Sequence, residues 1–324
     1  MNEMNKYDEK NYFDLLENFP QQISEAMWIG KKIRLKKRKF ENITVQGMGG
    51  SGITGKILEN LFKNELKIPV QTVNDYEIPE YVSNKTLFIA VSYSGKTEET
   101  LSGLHHAKKK KAFILGISSG KKFNESSYFI KIPENYPPRA ATAFLVVPLI
   151  FALQKLGLIT KKEKNIIEFI KLAEKEKNRI KKNAFDLAEK MHNKTIFVYS
   201  AKTIEVCSSR WMTQINENSK GFCHANILPE MNHNEINMNY SNGLFVFLKT
   251  AKESSQMQKR IKFTKKVFSK ENTVTEFTSK GKSLFAQLFY LIYLGDFTSY
   301  YLALLKKVDP SPVPIIEGLK KALK

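Results

Sequence analysis

Gly47-Met48-Gly49-Gly50-Ser51-Gly52-Ile53-Thr54-Gly55-Lys56 follows the apolar run Ile43-Thr44-Val45-Gln46 and precedes Ile57, Leu58, Leu61 and Phe62 at helical spacing. The pattern predicts strand, glycine-rich turn, helix. Such a turn aims backbone N–H groups at an anion on the positive end of the helix. Gly47, Gly49 and Gly52 satisfy G-x-G-x-x-G, the dinucleotide fingerprint, and Asp75 stands about where a ribose partner is expected. Shifted by three, Gly50 to Lys56 reads G-x-x-x-x-G-K. Ile57 then replaces the hydroxyl a P-loop places on Mg²⁺, which argues against an NTPase. This loop alone leaves the dinucleotide reading open.

A second loop shifts the balance. Leu87-Phe88-Ile89-Ala90-Val91 runs into Ser92-Tyr93-Ser94-Gly95-Lys96-Thr97 and then Glu98-Glu99-Thr100-Leu101, again strand, turn, helix. Ser92, Ser94 and Thr97 bring three hydroxyls to one helix start, enough for a compact phosphate pocket. They also suit plain helix capping, with Thr97 at the N-cap. A dinucleotide needs its pyrophosphate at the first turn and has no use for the second. Together with Ser51, the second loop favours one shared phosphate pocket.

Further strands are expected at Val70–Val73, Ala112–Ile117 and Tyr128–Ile132, with helices over 53–64 and 97–110 between them. Residues 7–30 read as a leading helical segment, and 140–157 as an apolar helix. Strands alternating with helices predict an α/β fold with a parallel sheet covered on both faces. Residues 160–193 are charged with a sparse apolar stripe and read as a bridge. A second α/β pattern begins at Thr195–Tyr199, continues with a helix near 203–219 and strands at 244–249 and 273–277, and ends in a helix over 282–306. The expected organisation is a first domain over 1–157, a helical bridge over 158–193 and a second domain over 194–324.

The chain has 324 residues, of which 42% are apolar, so it can fill a core. No run approaches the roughly 18–20 continuous apolar residues of a membrane span, and Met1–Lys6 lacks an apolar signal core. Cys207 and Cys223 are the only cysteines, too few for a disulfide framework and without zinc-ligand spacing. The chain reads as cytoplasmic. Fifty-two basic residues against thirty-two acidic give +20. The run Lys31–Lys39 lacks the interleaved aromatics of a stacking surface, so it reads as a solvated face and not as a nucleic-acid site. A field of this sign steers small anions.

Gly49-Gly50-Ser51-Gly52 together with Ser92-Tyr93-Ser94-Gly95-x-Thr97-Glu98-Glu99-Thr100 resembles the sugar isomerase (SIS) domain, a flavodoxin-like fold that binds phosphosugars. Pro137-Pro138-Arg139-Ala140-Ala141, Arg210-Trp211, Asn216-Glu217-Asn218-Ser219-Lys220 and Pro229-Glu230-Met231-Asn232-His233-Asn234-Glu235 narrow the resemblance to the bifunctional phosphoglucose/phosphomannose isomerases. It runs from about residue 43 to Val308-Asp309-Pro310. It implies two flavodoxin-like SIS domains, each a mainly parallel sheet flanked by helices. It also implies interconversion of glucose 6-phosphate and fructose 6-phosphate, with mannose 6-phosphate as a second substrate. No metal, nucleotide or other cofactor is implied, and the active form would be a homodimer with no nucleic-acid or membrane partner. Lys96 departs from the asparagine common in the SIS loop, a change that should not harm anion binding.

The resemblance assigns Gly50, Ser51, Ser92, Ser94 and Thr97 to the substrate phosphate. Glu217 becomes the base that moves the C1/C2 proton; on local sequence alone it reads as an exposed helical carboxylate paired with Lys220. His233 becomes the ring-opening group, placed across the dimer interface. An imidazole is the side chain type suited to passing protons near neutral pH, and no second histidine stands at metal-ligand spacing. Arg139, stiffened by Pro137-Pro138, suits charge stabilisation of the enediolate. Lys320 is the C-terminal lysine for ring opening. Glu230 and Glu235 read as local hydrogen-bond partners, His105-His106 as exposed, His192 and His224 as partnerless, and Trp28 and Trp211 as packing residues. Two rivals stand beside this reading: a non-catalytic SIS sensor, which has too few leading residues for a DNA-binding module, and a dehydrogenase resting on Gly47, Gly49, Gly52 and Asp75.

Overall fold

Every strand expected in the first half is present, and all of them pair in parallel. The structure, a computed structural model, describes residues 5–120, 123 and 125–323, so the leading Met1-Asn2-Glu3-Met4 lies outside the described residues. In chain order the elements are α1 (Tyr12–Glu17), α2 (Phe19–Lys31), β1 (Asn42–Gln46), α3 (Gly49–Phe62), β2 (Val70–Val73), β3 (Thr86–Val91), α4 (Glu98–Lys109), β4 (Phe113–Ser118), β5 (Tyr128–Lys131) and α5 (Thr142–Leu156). The second half continues with α6 (Glu163–Met191), β6 (Thr195–Ala201), α7 (Glu205–Asn218), β7 (Cys223–Leu228), β8 (Gly243–Lys249), α8 (Ser255–Phe268), β9 (Thr273–Thr278), α9 (Leu284–Leu305) and α10 (Pro314–Ala322). The chain divides into two compact units, one of residues 19–170 and one of residues up to 18 with those from 171 onward.

The first unit is a five-stranded sheet in the order β2-β1-β3-β4-β5, parallel throughout. All six residues of the central strand β3 are buried. Phe88 and Ala90 pack with Leu104 and Ala107 of α4. Leu87, Ile89 and Val91 are equally buried on the opposite face, as strand alternation requires. Both faces are thus dry, which explains the near-continuous apolar strands. The order reverses between β1 and β3, so the loops leaving their carboxyl ends diverge at a topological switch point.

The second unit holds a parallel sheet in the order β7-β6-β8-β9. One face stacks Phe197 on Phe245 at 4.6 Å and Phe245 on Phe268 of α8 at 4.4 Å. Two of its elements were not anticipated. β7 is an edge strand whose His224 and Asn226 interrupt any apolar run, which an edge permits. α8 buries only Ile261, Thr264 and Phe268, a stripe hidden among lysines.

Tyr12 is fully buried, and the Phe13 ring sits 5.6 Å from Tyr300 and 6.0 Å from Phe297. These apolar contacts place α1 in the unit of α9, whereas the sequence expects all leading residues in the first domain. The expected bridge is one helix, α6, whose turns up to Ile170 belong to the first unit and the rest to the second. α9 bears on the expectation that no run spans a membrane. By length and composition it is apolar enough to cross a bilayer, and 94% of its most apolar window is buried inside the protein.

Glu17 pairs with Lys177 at 2.6 Å and Lys181 at 2.7 Å, tying α1 to α6. Burial pushes its carboxyl upward, but the hydrogen bonds and charges of the two lysines outweigh that and hold it below the ordinary value. Glu276 is held down in the same way, burial being overcome by Lys249 and Lys265. A depressed folded-state pKa contributes stability above the unfolded value, 4.5, and loses it as pH falls through the folded value. The thermal midpoint by calorimetry is therefore expected to drop once pH falls below about 4.5. Glu17→Gln is expected to make that drop shallower.

Candidate active site

The glycine turn and the hydroxyl turn leave the two strands that flank the switch point, β1 and β3. Gly49 adopts φ 51°, in the left-handed region that favours glycine. Gly50 lies hard against the Pro138–Arg139 backbone: a Cβ there would stand 2.9 Å from the Arg139 amide nitrogen and 3.0 Å from its Cα. That close approach seats the guanidinium-bearing segment on the first turn of α3. Arg139 itself is 3% exposed. Gly50→Ala must displace backbone, and is expected to cost about 1–3 kcal/mol of stability. It should also raise KM for a phosphosugar, read from denaturation and kinetics together.

Ser51 bridges the two loops, its Oγ accepting the Tyr93 N–H at 3.1 Å. The Ser92 and Thr97 hydroxyls lie 2.8 Å apart, and Ser92 Oγ also accepts the Gly95 N–H at 3.1 Å. Thr97 occupies the N-cap position of α4, yet its side chain makes no capping bond. The plain capping reading therefore fails for Thr97. Ser94 is exposed, its Oγ accepting the Lys96 N–H at 3.2 Å. Tyr93 braces the turn from beneath: its hydroxyl donates to Pro133 O at 3.0 Å and accepts the Tyr136 N–H at 2.8 Å. Burial pushes this phenol upward, so it stays neutral. Gly50, Ser51, Ser92, Thr97 and Arg139 thus converge in the first unit.

The second sheet has a corresponding switch point between β6 and β8, filled differently. After β8, Glu253 Oε1 accepts both the Thr250 N–H at 2.8 Å and its hydroxyl at 2.7 Å. That carboxylate is held within its own turn, and the first sheet, with glycines after β1 and hydroxyls after β3, is the phosphate candidate.

Glu217 lies in the last turn of α7, half-buried, between two fastened asparagines. Asn216 Oδ1 accepts the Cys223 N–H of β7 at 3.0 Å, and Asn218 Nδ2 donates to Ser299 Oγ of α9 at 2.9 Å. Lys220 Nζ donates to the Glu217 backbone carbonyl at 2.7 Å and reaches Pro310 O at 3.5 Å. Deeper on α7, Arg210 meets Asp296 at 3.1 Å, Gln214 donates to the same carboxylate at 2.9 Å, and Trp211 Nε1 donates to Leu291 O at 2.8 Å. Trp211 is fully buried, as a packing residue should be.

His233 ends a 3-10 turn, Glu230–His233, and is exposed. Its neighbours are held: Met231 is fully buried, Asn232 Nδ2 donates to Thr264 Oγ1 at 2.8 Å, and Glu235 Oε1 lies 2.5 Å from His224 Nε2. His224 therefore has the partner its sequence context denied it; no spacing rule signals a pair eleven residues apart, from a strand to a turn. Glu235 serves as the local hydrogen-bond partner anticipated. Lys320 lies on α10, which has no buried residue. Trp28 departs from expectation: it is 61% exposed under the Lys32 ammonium. Both cysteines are buried and free, and burial pushes both thiols up. Among the described residues no three His, Cys, Asp or Glu side chains form a cluster able to hold a metal ion.

Residues 35–150 match the model of the SIS domain, and residues 180–323 that of the bacterial phospho-glucose isomerase C-terminal SIS domain. A bifunctional phosphoglucose/phosphomannose isomerase from Caldicellulosiruptor bescii is 39% identical over 333 residues, covering 96% of this chain and 98% of that protein. The chain belongs to the bifunctional phosphoglucose/phosphomannose isomerase family. A second member, from Thermoplasma volcanium, is 36% identical and spans 92% of this chain and 98% of its own length. The fold extends beyond the family. The C-terminal domain of glucosamine-fructose-6-phosphate aminotransferase from Francisella tularensis superposes with a TM-score of 0.78 at 17% identity, covering 93% of this chain and 97% of that one. At that identity the likeness concerns architecture alone. Family membership does not favour the sensor or dehydrogenase readings.

Proposed function

We propose that this chain interconverts glucose 6-phosphate and fructose 6-phosphate, and mannose 6-phosphate and fructose 6-phosphate, by proton transfer through a cis-enediol. The observation that carries the phosphate end is the convergence of Ser51, Ser92, Thr97 and the α3 and α4 N-termini at the switch point of the first sheet. Ser94 and the Gly50 amide complete the grip. His233, assisted by Lys320, protonates the ring oxygen as the anomeric hydroxyl loses its proton, so the C1–O5 bond of the aldose breaks and the aldehyde forms. Glu217 then takes the C2 proton while the C1 oxygen gains one, giving the enediol. Loss of the O2 proton and return of the carbon-bound proton to C1 yields the ketose. In reverse, protonation at C2 in either configuration yields one or the other aldose. Arg139 contributes fixed positive charge beside the enediolate oxygens.

The same reading takes the active form as a cytoplasmic homodimer, with His233 serving across the interface and no need for metal, nucleotide, nucleic acid or membrane. The phosphate assignment is tested by fructose 6-phosphate kinetics on Ser51→Ala, Ser92→Ala and Thr97→Val. Each loses a charge-assisted hydrogen bond worth about 1.5–3 kcal/mol, so KM is expected to rise roughly 10–100-fold. Competition by inorganic phosphate should weaken in parallel. Unchanged KM and unchanged phosphate inhibition in all three would place the phosphate elsewhere.

A further inference from the structure

His233 is exposed on a short turn, and short exposed turns do not aim a side chain by themselves. What aims it must lie on either side of it. On one side Met231 is sunk in the apolar cluster of the second sheet and Asn232 is tied to Thr264 of α8. On the other side Glu235 Oε1 lies 2.5 Å from His224 Nε2. His224 is itself steadied, its ring edge-on to Phe197 at 5.9 Å between centroids. The hydroxyl of the fully buried Tyr199 faces the same carboxylate, and burial keeps it a neutral phenol. The residue before His224 matters as well. Cys223 donates its N–H to Asn216, the neighbour of Glu217. The first two residues of β7 therefore fasten both the helix end that carries Glu217 and the turn that carries His233.

We propose that His224 and Glu235 form the positioning pair of His233, a role distinct from acid–base chemistry of their own. The inference rests on the assignment of ring opening to His233. Neither member touches the reacting atoms in this proposal. Together they clamp the turn at the second residue after His233, as Asn232 clamps it at the residue before. Misplacing a catalytic group by about 1 Å costs up to about 100-fold, so the clamp should show in turnover and not in substrate affinity.

The experiment compares two reactions of the full-length protein. One is turnover of fructose 6-phosphate, which requires ring opening. The other is deuterium incorporation from D2O at C1 of 5-deoxyfructose 6-phosphate, which lacks the O5 needed to close its ring, keeps the carbon span of the substrate and enolises without a ring-opening step. His224→Ala and Glu235→Ala are each expected to lower kcat on fructose 6-phosphate roughly tenfold or more, with KM within about twofold and exchange on the 5-deoxy ketose phosphate within about twofold. The double variant should be no slower than either single one, because the pair acts as a unit. His224→Gln, whose amide still donates to Glu235, should recover most of the loss. Equal losses in both reactions, or no loss on fructose 6-phosphate, would overturn the inference. His233→Ala separates the two levels. If it abolishes ring-dependent turnover while His224→Ala does nothing, the clamp alone is overturned. If His233→Ala is harmless in an active enzyme, the assignment to His233 falls and the clamp with it.

Discussion

Glu217→Gln is expected to lower kcat by about 10²–10⁴-fold, with KM for fructose 6-phosphate within about threefold, because it removes the carboxylate proposed as the general base. Glutamine keeps the length and shape of the side chain but cannot accept the carbon-bound proton. The surroundings favour a clean result. The α7 terminus is held by Asn216 on β7, Asn218 on Ser299 and Ser219 Oγ on the Ile215 carbonyl at 2.6 Å, none of which uses the Glu217 carboxylate. The residues proposed to grip the phosphate, Ser51, Ser92, Ser94 and Thr97, are all left intact, so affinity has no reason to change. A variant that keeps more than a tenth of wild-type kcat would remove Glu217 from the chemistry.

Asp296→Ala is expected to be the most damaging single change to the fold of the second unit. Its carboxylate is buried and receives both the Arg210 guanidinium and the Gln214 amide. Burial drives its pKa up, against the opposing pull of Arg210 and Gln214. Removing it takes the carboxylate away from a guanidinium that is 1% exposed, and breaking one side of such a pair costs about 3–5 kcal/mol. For a unit of this size the thermal midpoint should fall by roughly 6–20 °C. The double variant Arg210→Met/Asp296→Leu should regain most of that loss, since apolar replacements of both partners escape the desolvation cost. A single variant that melts with the wild type would show that the pair bears little of the packing of α7 on α9.

The legible parts of the chain are those where one local rule suffices. β1 and β3 are buried on both faces, so their sequences are apolar without interruption, and the glycines and hydroxyls that follow announce turns into helices. β7 was hidden because an edge strand tolerates His224 and Asn226, which erase the apolar run. α8 was hidden because its buried stripe is three residues wide among lysines. The place of α1 was illegible for a different reason: Phe13 finds Phe297 and Tyr300 nearly three hundred residues away, and nothing local signals such a contact. At the candidate site the motif residues were readable, because Ser51, Ser92, Thr97, Glu217 and His233 each sit in a distinctive segment. The residues that hold them were not. His224 on Glu235, Asn216 on Cys223 and Gly50 beneath Arg139 are products of the fold, with no spacing that foretells them.

The decisive measurement is an incubation of the EDTA-treated protein with fructose 6-phosphate in D2O, followed by NMR of the aldose 6-phosphates. Isomerisation through a proton-shuttled enediol predicts both glucose 6-phosphate and mannose 6-phosphate, with deuterium at C2 in at least part of each product. No aldose product from a folded protein that still binds the sugar phosphate, or products carrying only protium at C2 because a hydride has shifted directly, would contradict it.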